Sequence, residues 1–277
     1  MKQRKKKVLN ITIYIVLRVL VVVTMIFQFF NKNYNNVFMC VLTLVLFTIP
    51  TFVDRKMNIK LPTALEIVIL LFIFSAEILG EIQRFYLVFQ HWDTMLHTIN
   101  GFLMAAIGFA MIDILNRDPR FHINMSPVFV AFVAFCFSMT IGVLWEFFEF
   151  GMDLFTLTDM QKDYLYQTVA TVSLNPTGAN VPVVISDIQN TVVQGVVDGK
   201  MTQTVIEGGY LDLGIMDTMK DLLVNCLGAV VFSILGLFYI KGRGEGRIVR
   251  SFIPQLKTKA EIEETRLEYE ARKKKKK

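Results

Sequence analysis

Acidic residues, one histidine and one asparagine recur at helical spacing in three separate apolar segments of this chain. The segments are Trp92-Asp-Thr-Met-Leu-His97, Trp145-Glu-Phe-Phe-Glu-Phe-Gly-Met-Asp153 and Asp217-Thr-Met-Lys-Asp-Leu-Leu-Val-Asn225. An ionisable side chain inside a bilayer costs free energy and is by default a sign of function. Because the three segments place these groups at similar depth, the pattern predicts one shared site.

Carboxylates and imidazole are side chains that bind divalent cations in proteins. Asp93 and His97 are four residues apart, so both lie on one face of a helix. A carboxylate in that position can also orient the imidazole. Two further sets each form one helical stripe: Glu146, Glu149 and Asp153 in one segment, and Asp217, Asp221 and Asn225 in the next.

Adjacent carboxylates at low dielectric cannot all remain ionised and unpaired, so either several are protonated or a cation binds among them. A cation held by carboxylates and one imidazole can activate water or neutralise phosphate charge. The spacing therefore predicts metal-dependent hydrolysis or transfer on a lipid or cell-envelope intermediate, with Glu149 as general base. The predicted ligands of the divalent metal ion are Asp93, His97, Glu146 and Asp221.

Simpler interpretations stand beside this one. A charge costs little free energy at the water boundary of a membrane. The acids Asp93, Glu149, Asp153 and Asp217 could simply lie at that boundary. Asp217 could also cap the helix that follows it, and His97 alone would more often form an interhelical hydrogen bond. The same acids could carry protons or a cation in a transporter. They could also hold together the bundle of a non-catalytic envelope scaffold.

Composition indicates which elements position these groups. The chain has 277 residues, 53% of them hydrophobic, and a mean hydropathy of +0.48. The apolar residues form blocks of about 20, the length of a helix that crosses a bilayer. We predict an all-α integral membrane protein, a bundle of about six transmembrane helices. The predicted spans are residues 9–30, 37–53, 63–89, 94–115, 127–150 and 218–240.

The connection between the fifth and sixth spans, residues 154–216, is too long for a plain loop. Three β-branched runs begin at Val181, Thr191 and Thr202, and Asp-Gly and Gly-Gly pairs separate or follow them. This pattern predicts a small β-rich insertion, a hairpin or meander, that acts as a lid or as a linker.

The lysines and arginines predict orientation. Residues 1–8 form a basic N-terminus, 9–153 hold spans one to five, 217–240 hold the sixth, and 241–277 form a charged tail. Within this tail, residues 259–277 are predicted to form a solvated or membrane-skimming helix. With both termini in the cytoplasm, most of the 29 basic residues lie inside and the insertion is extracytoplasmic. Basic ends beside membrane helices contact anionic lipid, so the predicted partners are membrane lipids and a lipid or cell-envelope substrate, with no nucleic acid.

Three stretches, Trp92–Phe102, Leu144–Glu149 and Leu211–Ala229, resemble the YjdF-like bacterial inner-membrane proteins, a functionally uncharacterised family. More loosely, the order Asp…His, Glu, Asp-x-x-x-Asn-x-x-Gly is similar to the VanZ-like membrane proteins, which are associated with glycopeptide resistance. The resemblance implies a bacterial cytoplasmic membrane and no particular activity. Matching positions are Asp93, His97, Gly101, Glu146, Glu149, Asp217, Asp221 and Gly228.

Overall fold

A computed structural model describes residues 2–56, 59–117, 125–242, 246–258, 260–263 and 267 of the chain. The lysine run at 273–277 lies outside the described residues. Helices in the described part are α1 Lys2–Phe30, α2 Tyr34–Leu46, α3 Ile49–Lys56, α4 Thr63–Phe74, α5 Phe85–Val88, α6 Trp92–Arg117, α7 Pro127–Thr156, α8 Ile215–Lys241 and α9 Arg247–Arg250. A π-helical segment, Ser75–Ile82, continues α4.

The strands are short and form antiparallel pairs. They are β1 Ile59–Lys60, β2 Leu165–Tyr166, β3 Val169–Thr171, β4 Val183–Ile185, β5 Asn190–Val197, β6 Lys200–Glu207, β7 Tyr210–Leu211 and β8 Gln255–Leu256. The pairs are β1 with β8, β2 with β7, β3 with β4, and β5 with β6. Strands β2 to β7 form the β insertion that the sequence predicts between the fifth and sixth spans.

Among the described residues, six helical stretches are long and apolar enough to cross a membrane, which agrees with the predicted number. They are Leu9–Phe30, Tyr34–Asp54, Thr63–Ile82, Trp92–Asn116, Pro127–Thr156 and Ile215–Lys241. The third stretch ends at Ile82 and does not continue to Phe89 as predicted. Arg84 adopts a left-handed conformation with φ of +61°, which separates this stretch from the short α5.

A proline interrupts the second stretch between α2 and α3. Pro50 has no amide hydrogen to donate to the carbonyl of Leu46, and its ring would clash with that carbonyl in a continuous helix. The chain closes α2 by other bonds instead. Thr48 donates its amide and its hydroxyl to the carbonyl of Val45, at 2.9 and 2.7 Å. The fully buried side chain of Phe47 anchors the break in the core.

The chain forms two compact units, Met1–Gly142 with Leu223–Lys277, and Val143–Leu222. The first unit contains two apolar cores. One core joins α1, α2, α4 and the π segment through Leu17, Val21, Cys40, Phe47, Leu70, Ile78 and Ile82. The other is built around Ala105, Ala106, Phe109, Val130, Ala134, Ala229, Phe232, Tyr239, Val249 and Ile253.

The beginning of the predicted charged tail belongs to this second core. Ile253 is 1% exposed, and the Phe252 ring lies 5.1 Å from the Phe102 ring, centroid to centroid. Lys257 Nζ donates to Asp54 Oδ2 at 2.9 Å, and β8 pairs with β1. The predicted solvated or membrane-skimming helix, residues 259–277, lies mostly outside the described residues. Residues 246–258, which precede it, pack into this core. The few apolar residues there are spaced to fill a core, although the surrounding composition is polar.

The second unit contains the β insertion. Its longest element is the β5–β6 hairpin, whose register runs from the Asn190–Glu207 pair to the Val197–Lys200 pair. Asp198 and Gly199 form the turn with φ of +50° and +78°. Two successive positive φ values match the right-handed twist of a hairpin and suit an Asp-Gly pair. The predicted hairpin is confirmed.

Candidate functional site

Helix α6 brings a histidine and an aspartate together. Trp92 begins the helix, so Asp93 lies in the first turn and His97 one turn later. His97 Nε2 lies 3.6 Å from Asp93 Oδ1. His97 is 8% exposed, whereas the Asp93 side chain is 35% exposed. The pair presents a buried imidazole whose carboxylate neighbour reaches toward the end of the helix, in agreement with the spacing.

A buried asparagine of α8 connects three helices, at the level of the α6 turn that follows His97. Asn225 of α8 is fully buried, and its Oδ1 accepts a hydrogen bond from Asn100 Nδ2 at 3.1 Å. Its Nδ2 donates to the carbonyl of Ser138 on α7 at 3.4 Å. Ser138 Oγ in turn donates to the carbonyl of Gly101 at 2.8 Å. An amide left unpaired in an apolar bundle is costly, so these bonds fix the register of α6, α7 and α8.

Glycines allow the close approach of these helices. A Cβ on Gly101 would lie 2.0 Å from the carbonyl oxygen of Asn225, and one on Gly228 would lie 2.1 Å from that of Thr98. A Cβ on Gly142 would lie 2.8 Å from Asn225 Nδ2. Small residues at helix interfaces are the usual means of bringing membrane helices into backbone contact.

Helix α8 carries Asp217 and Asp221 ahead of Asn225 at intervals of one turn. Asp221 is 3% exposed. Asp217 Oδ2 accepts the amide of Lys162 at 2.7 Å. The interpretation of Asp217 as an N-cap is wrong, because α8 begins earlier, at Ile215. Asp212 fixes that beginning by accepting the Met216 amide at 3.0 Å.

At the end of α7, Asp153 holds the loop that follows. Its carboxylate accepts the amides of Met160 and Gln161 at 2.7 and 2.8 Å, and the hydroxyl of Thr158 at 2.9 Å. Asp153 and Asp217 therefore bind backbone of the same short loop. These hydrogen bonds to the loop explain why acids occupy these two positions of the acidic stripes.

The other two acids of α7 are buried. Glu146 is 4% exposed and Glu149 is 9% exposed. Glu149 Oε1 accepts a hydrogen bond from Trp145 Nε1 at 2.9 Å, which orients the carboxylate along the helix. Trp145 itself is 44% exposed. These two glutamates and Asp221 therefore lie in surroundings of low dielectric, where charge interacts strongly.

Tyr164 contacts Lys220, which lies between the acids of α8, and the sequence did not predict this contact. Its hydroxyl accepts a hydrogen bond from Lys220 Nζ at 2.6 Å, and the two residues are 56 apart in the chain. No local motif marks a pair so distant. In the same loop, burial raises the pKa of Asp163, and the neighbouring charges of Asp159 and Asp212 raise it further.

The family of the chain follows from its sequence over most of this region. The sequence model of the family described as "Predicted membrane protein (DUF2238)" matches residues 13–242. The chain belongs to this family. The match spans all the acidic stripes of this DUF2238 protein, and its membrane character agrees with the six apolar helical stretches. No curated protein and no solved structure matches the chain.

Gly228→Ala should destabilise the DUF2238 protein by about 1–3 kcal/mol, because the added methyl group overpacks the contact with Thr98. Gly151→Ala is the matched control, since a Cβ there meets nothing within 4 Å and α7 gains helix propensity. Thermal unfolding of both variants in detergent checks this. Equal midpoints for the two variants would contradict the close approach of α6 and α8.

Asp163→Asn should raise the thermal unfolding midpoint at pH 7. The raised pKa means that the ionised carboxylate disfavours the folded state, an effect that grows as pH rises through that pKa. Below about pH 3, one unit under the ordinary aspartate pKa of about 3.9, the carboxyl is mostly protonated in both states, so the gain should vanish there. Glu207→Gln, at the exposed end of β6, is the control. A gain of the same size at both pH values would refute this explanation.

Proposed function

We propose that this membrane protein binds a divalent metal ion through Asp93, His97, Glu146 and Asp221. The metal would serve hydrolysis or group transfer on a lipid or cell-envelope intermediate, with Glu149 as general base. Asp93, His97 and Asp221 each offer a ligand atom of a type that binds such ions.

The observation that carries the proposal is the register of α6 and α8. The two helices run in the same direction, because Gly101 meets Asn225 and, further along both, Phe109 meets Gly236. His97 precedes Gly101 by four residues, and Asp221 precedes Asn225 by four. Continuing both helices back by one turn from their contact supports a common site for the imidazole and the carboxylate.

The chemistry of the remaining side chains fits such a site. Asp93 beside His97 is the arrangement in which a carboxylate orients an imidazole or joins it as a ligand. The burial of Glu146 and Asp221 favours a cation that offsets their charge. A cation bound there would act as a Lewis acid on water or on a phosphate oxygen.

Glu149 would act on the attacking water. In hydrolysis of a phosphate ester, the water oxygen forms a bond to phosphorus while the bond from phosphorus to the lipid alcohol breaks. Glu149 would take the proton of that water and return it to the departing alcohol oxygen. Trp145 Nε1 donates to Glu149 Oε1 at 2.9 Å, and this bond would hold the carboxylate in position for the transfer.

We also propose that the site faces the outside of a bacterial cytoplasmic membrane, with both termini in the cytoplasm. The distribution of lysine and arginine supports this orientation. The resemblance to YjdF-like and VanZ-like proteins supports the bacterial membrane.

A second candidate function is proton- or cation-coupled transport, which one observation favours. Glu77 lies in the π segment of the third apolar stretch. Its Oε2 is buried and has no hydrogen-bond partner among the described residues. Carboxylates inside membrane segments often carry protons, and π-helical turns often lie at functional sites.

Metal content tests the first candidate. Protein purified without chelator should contain about one divalent ion per chain, the stoichiometry of one mononuclear site. His97→Ala and Asp221→Ala should each reduce this to background, with His97→Gln as a milder variant if folding suffers. His91→Ala is the matched control, because His91 is exposed just before α6. Mass spectrometry of the eluted metal decides. Background metal in the wild-type protein, even after incubation with Zn²⁺ or Mn²⁺, would remove the proposal.

Flux tests the second candidate. In proteoliposomes with an imposed pH gradient, a transporter should dissipate the gradient, and Glu77→Gln should slow this at least about tenfold by removing the protonatable group. Glu207→Gln serves as the control. Wild-type flux equal to that of empty liposomes would exclude proton transport.

A further inference from the structure

A lysine in the second unit is held in a fixed position beside two acids of α8. Lys220 lies between Asp217 and Asp221 in sequence. Its Nζ donates to the Tyr164 hydroxyl at 2.6 Å and lies 4.5 Å from the centre of the Tyr164 ring. The ring face and the hydroxyl together attract the ammonium by a cation–π interaction and a hydrogen bond.

The tyrosine is itself fixed by the backbone. The Tyr164 amide donates to Asp212 Oδ1 at 2.6 Å, and its carbonyl accepts from the Asp212 amide at 2.9 Å. Asp212 also sets the beginning of α8 through the Met216 amide. Tyr164 and Asp212 thus fix the ammonium relative to the start of α8, the helix that carries both Lys220 and Asp221. Ordering a lysine side chain costs conformational entropy, and here that cost falls on folding and not on ligand binding.

The ammonium keeps hydrogen-bonding capacity. A lysine has three N–H donors, and within the described part of the chain Nζ makes one hydrogen bond, to Tyr164. Lys220 is exposed, so a molecule arriving from solvent or from the bilayer surface can reach it. Two donors on a fixed cation suit an acceptor that carries several oxygens and negative charge.

We propose that Lys220, positioned by Tyr164, binds a phosphate group of the substrate. This inference rests on the proposed function for the reaction itself, and it adds the substrate class: a lipid with a phosphate-bearing head group. The nearby carboxylates of Asp217 and Asp221 would repel an anion, so a phosphate can approach them only with a cation beside it. Lys220 is positioned to provide that charge, and it holds the phosphate next to Asp221.

Binding of a short-chain lipid phosphate tests this assignment. The probes are dihexanoyl phosphatidic acid, dihexanoylglycerol and inorganic phosphate, titrated into the full-length protein in neutral detergent. Wild-type protein should bind the phosphatidic acid and not the glyceride. Lys220→Gln should weaken that binding about tenfold or more, the effect of losing a charge-assisted hydrogen bond. Lys220→Arg should stay within about threefold of wild type, because the charge remains.

Tyr164→Phe keeps the ring and removes the hydroxyl, so an intermediate loss of about two- to fivefold is expected from one neutral hydrogen bond. Lys200→Gln, at the exposed hairpin turn, is the matched control and should bind as wild type. Thermal unfolding of each variant verifies folding. Equal binding by Lys220→Gln and wild type overturns the proposal, and so does wild-type protein that ignores phosphatidic acid. Equal affinity for inorganic phosphate overturns the lipid assignment and indicates a soluble phosphate ligand.

The metal measurement keeps this inference separate from the proposed function. Lys220→Gln should retain the metal content of wild type, because lysine is not among the proposed ligands. A metal-free wild-type protein that binds phosphatidic acid through Lys220 would end the metal proposal and leave the phosphate site. Metal-loaded wild-type protein whose binding of phosphatidic acid does not depend on Lys220 would end the phosphate-site proposal and leave the metal proposal.

Discussion

The buried side chain of Asn225 is the contact on which the arrangement of α6, α7 and α8 depends. Its amide is paired on both sides, with Asn100 and with the carbonyl of Ser138. These bonds form only because Gly101 and Gly228 let the backbones of α6 and α8 touch. In an apolar bundle such pairing is directional, whereas Leu and Phe contacts tolerate sliding. A one-turn slip would leave an amide unpaired, so the register is well defined.

A second set of polar contacts orders the second unit in a different way. Asp153, Asp212 and Asp217 each accept backbone amides of the loop or of the start of α8. These hydrogen bonds hold the loop and the start of α8 in place. These three acidic residues therefore fix the backbone of the second unit.

The sequence predicted the six apolar stretches and the β5–β6 hairpin, because helix-length hydrophobic blocks and an Asp-Gly turn are local signals. It also predicted that Asp93 and His97 lie on one face of a helix. It could not predict that Tyr164 binds Lys220 or that Asp212, not Asp217, accepts an amide of the first turn of α8, since those bonds depend on how the loop folds. The assignment of Glu146 and Asp221 as metal ligands stays a prediction.

The insertion of Val249 and Ile253 into the second core has a consequence for biogenesis. These residues follow α8 in the chain, so the ribosome releases them after α6, α7 and α8 have been made. Until then Phe109 and Phe232 lack part of their packing, and the bundle stays incomplete although its helices have entered the bilayer. This core is therefore completed after the helices have inserted. It is completed from the side of the membrane on which the chain end emerges.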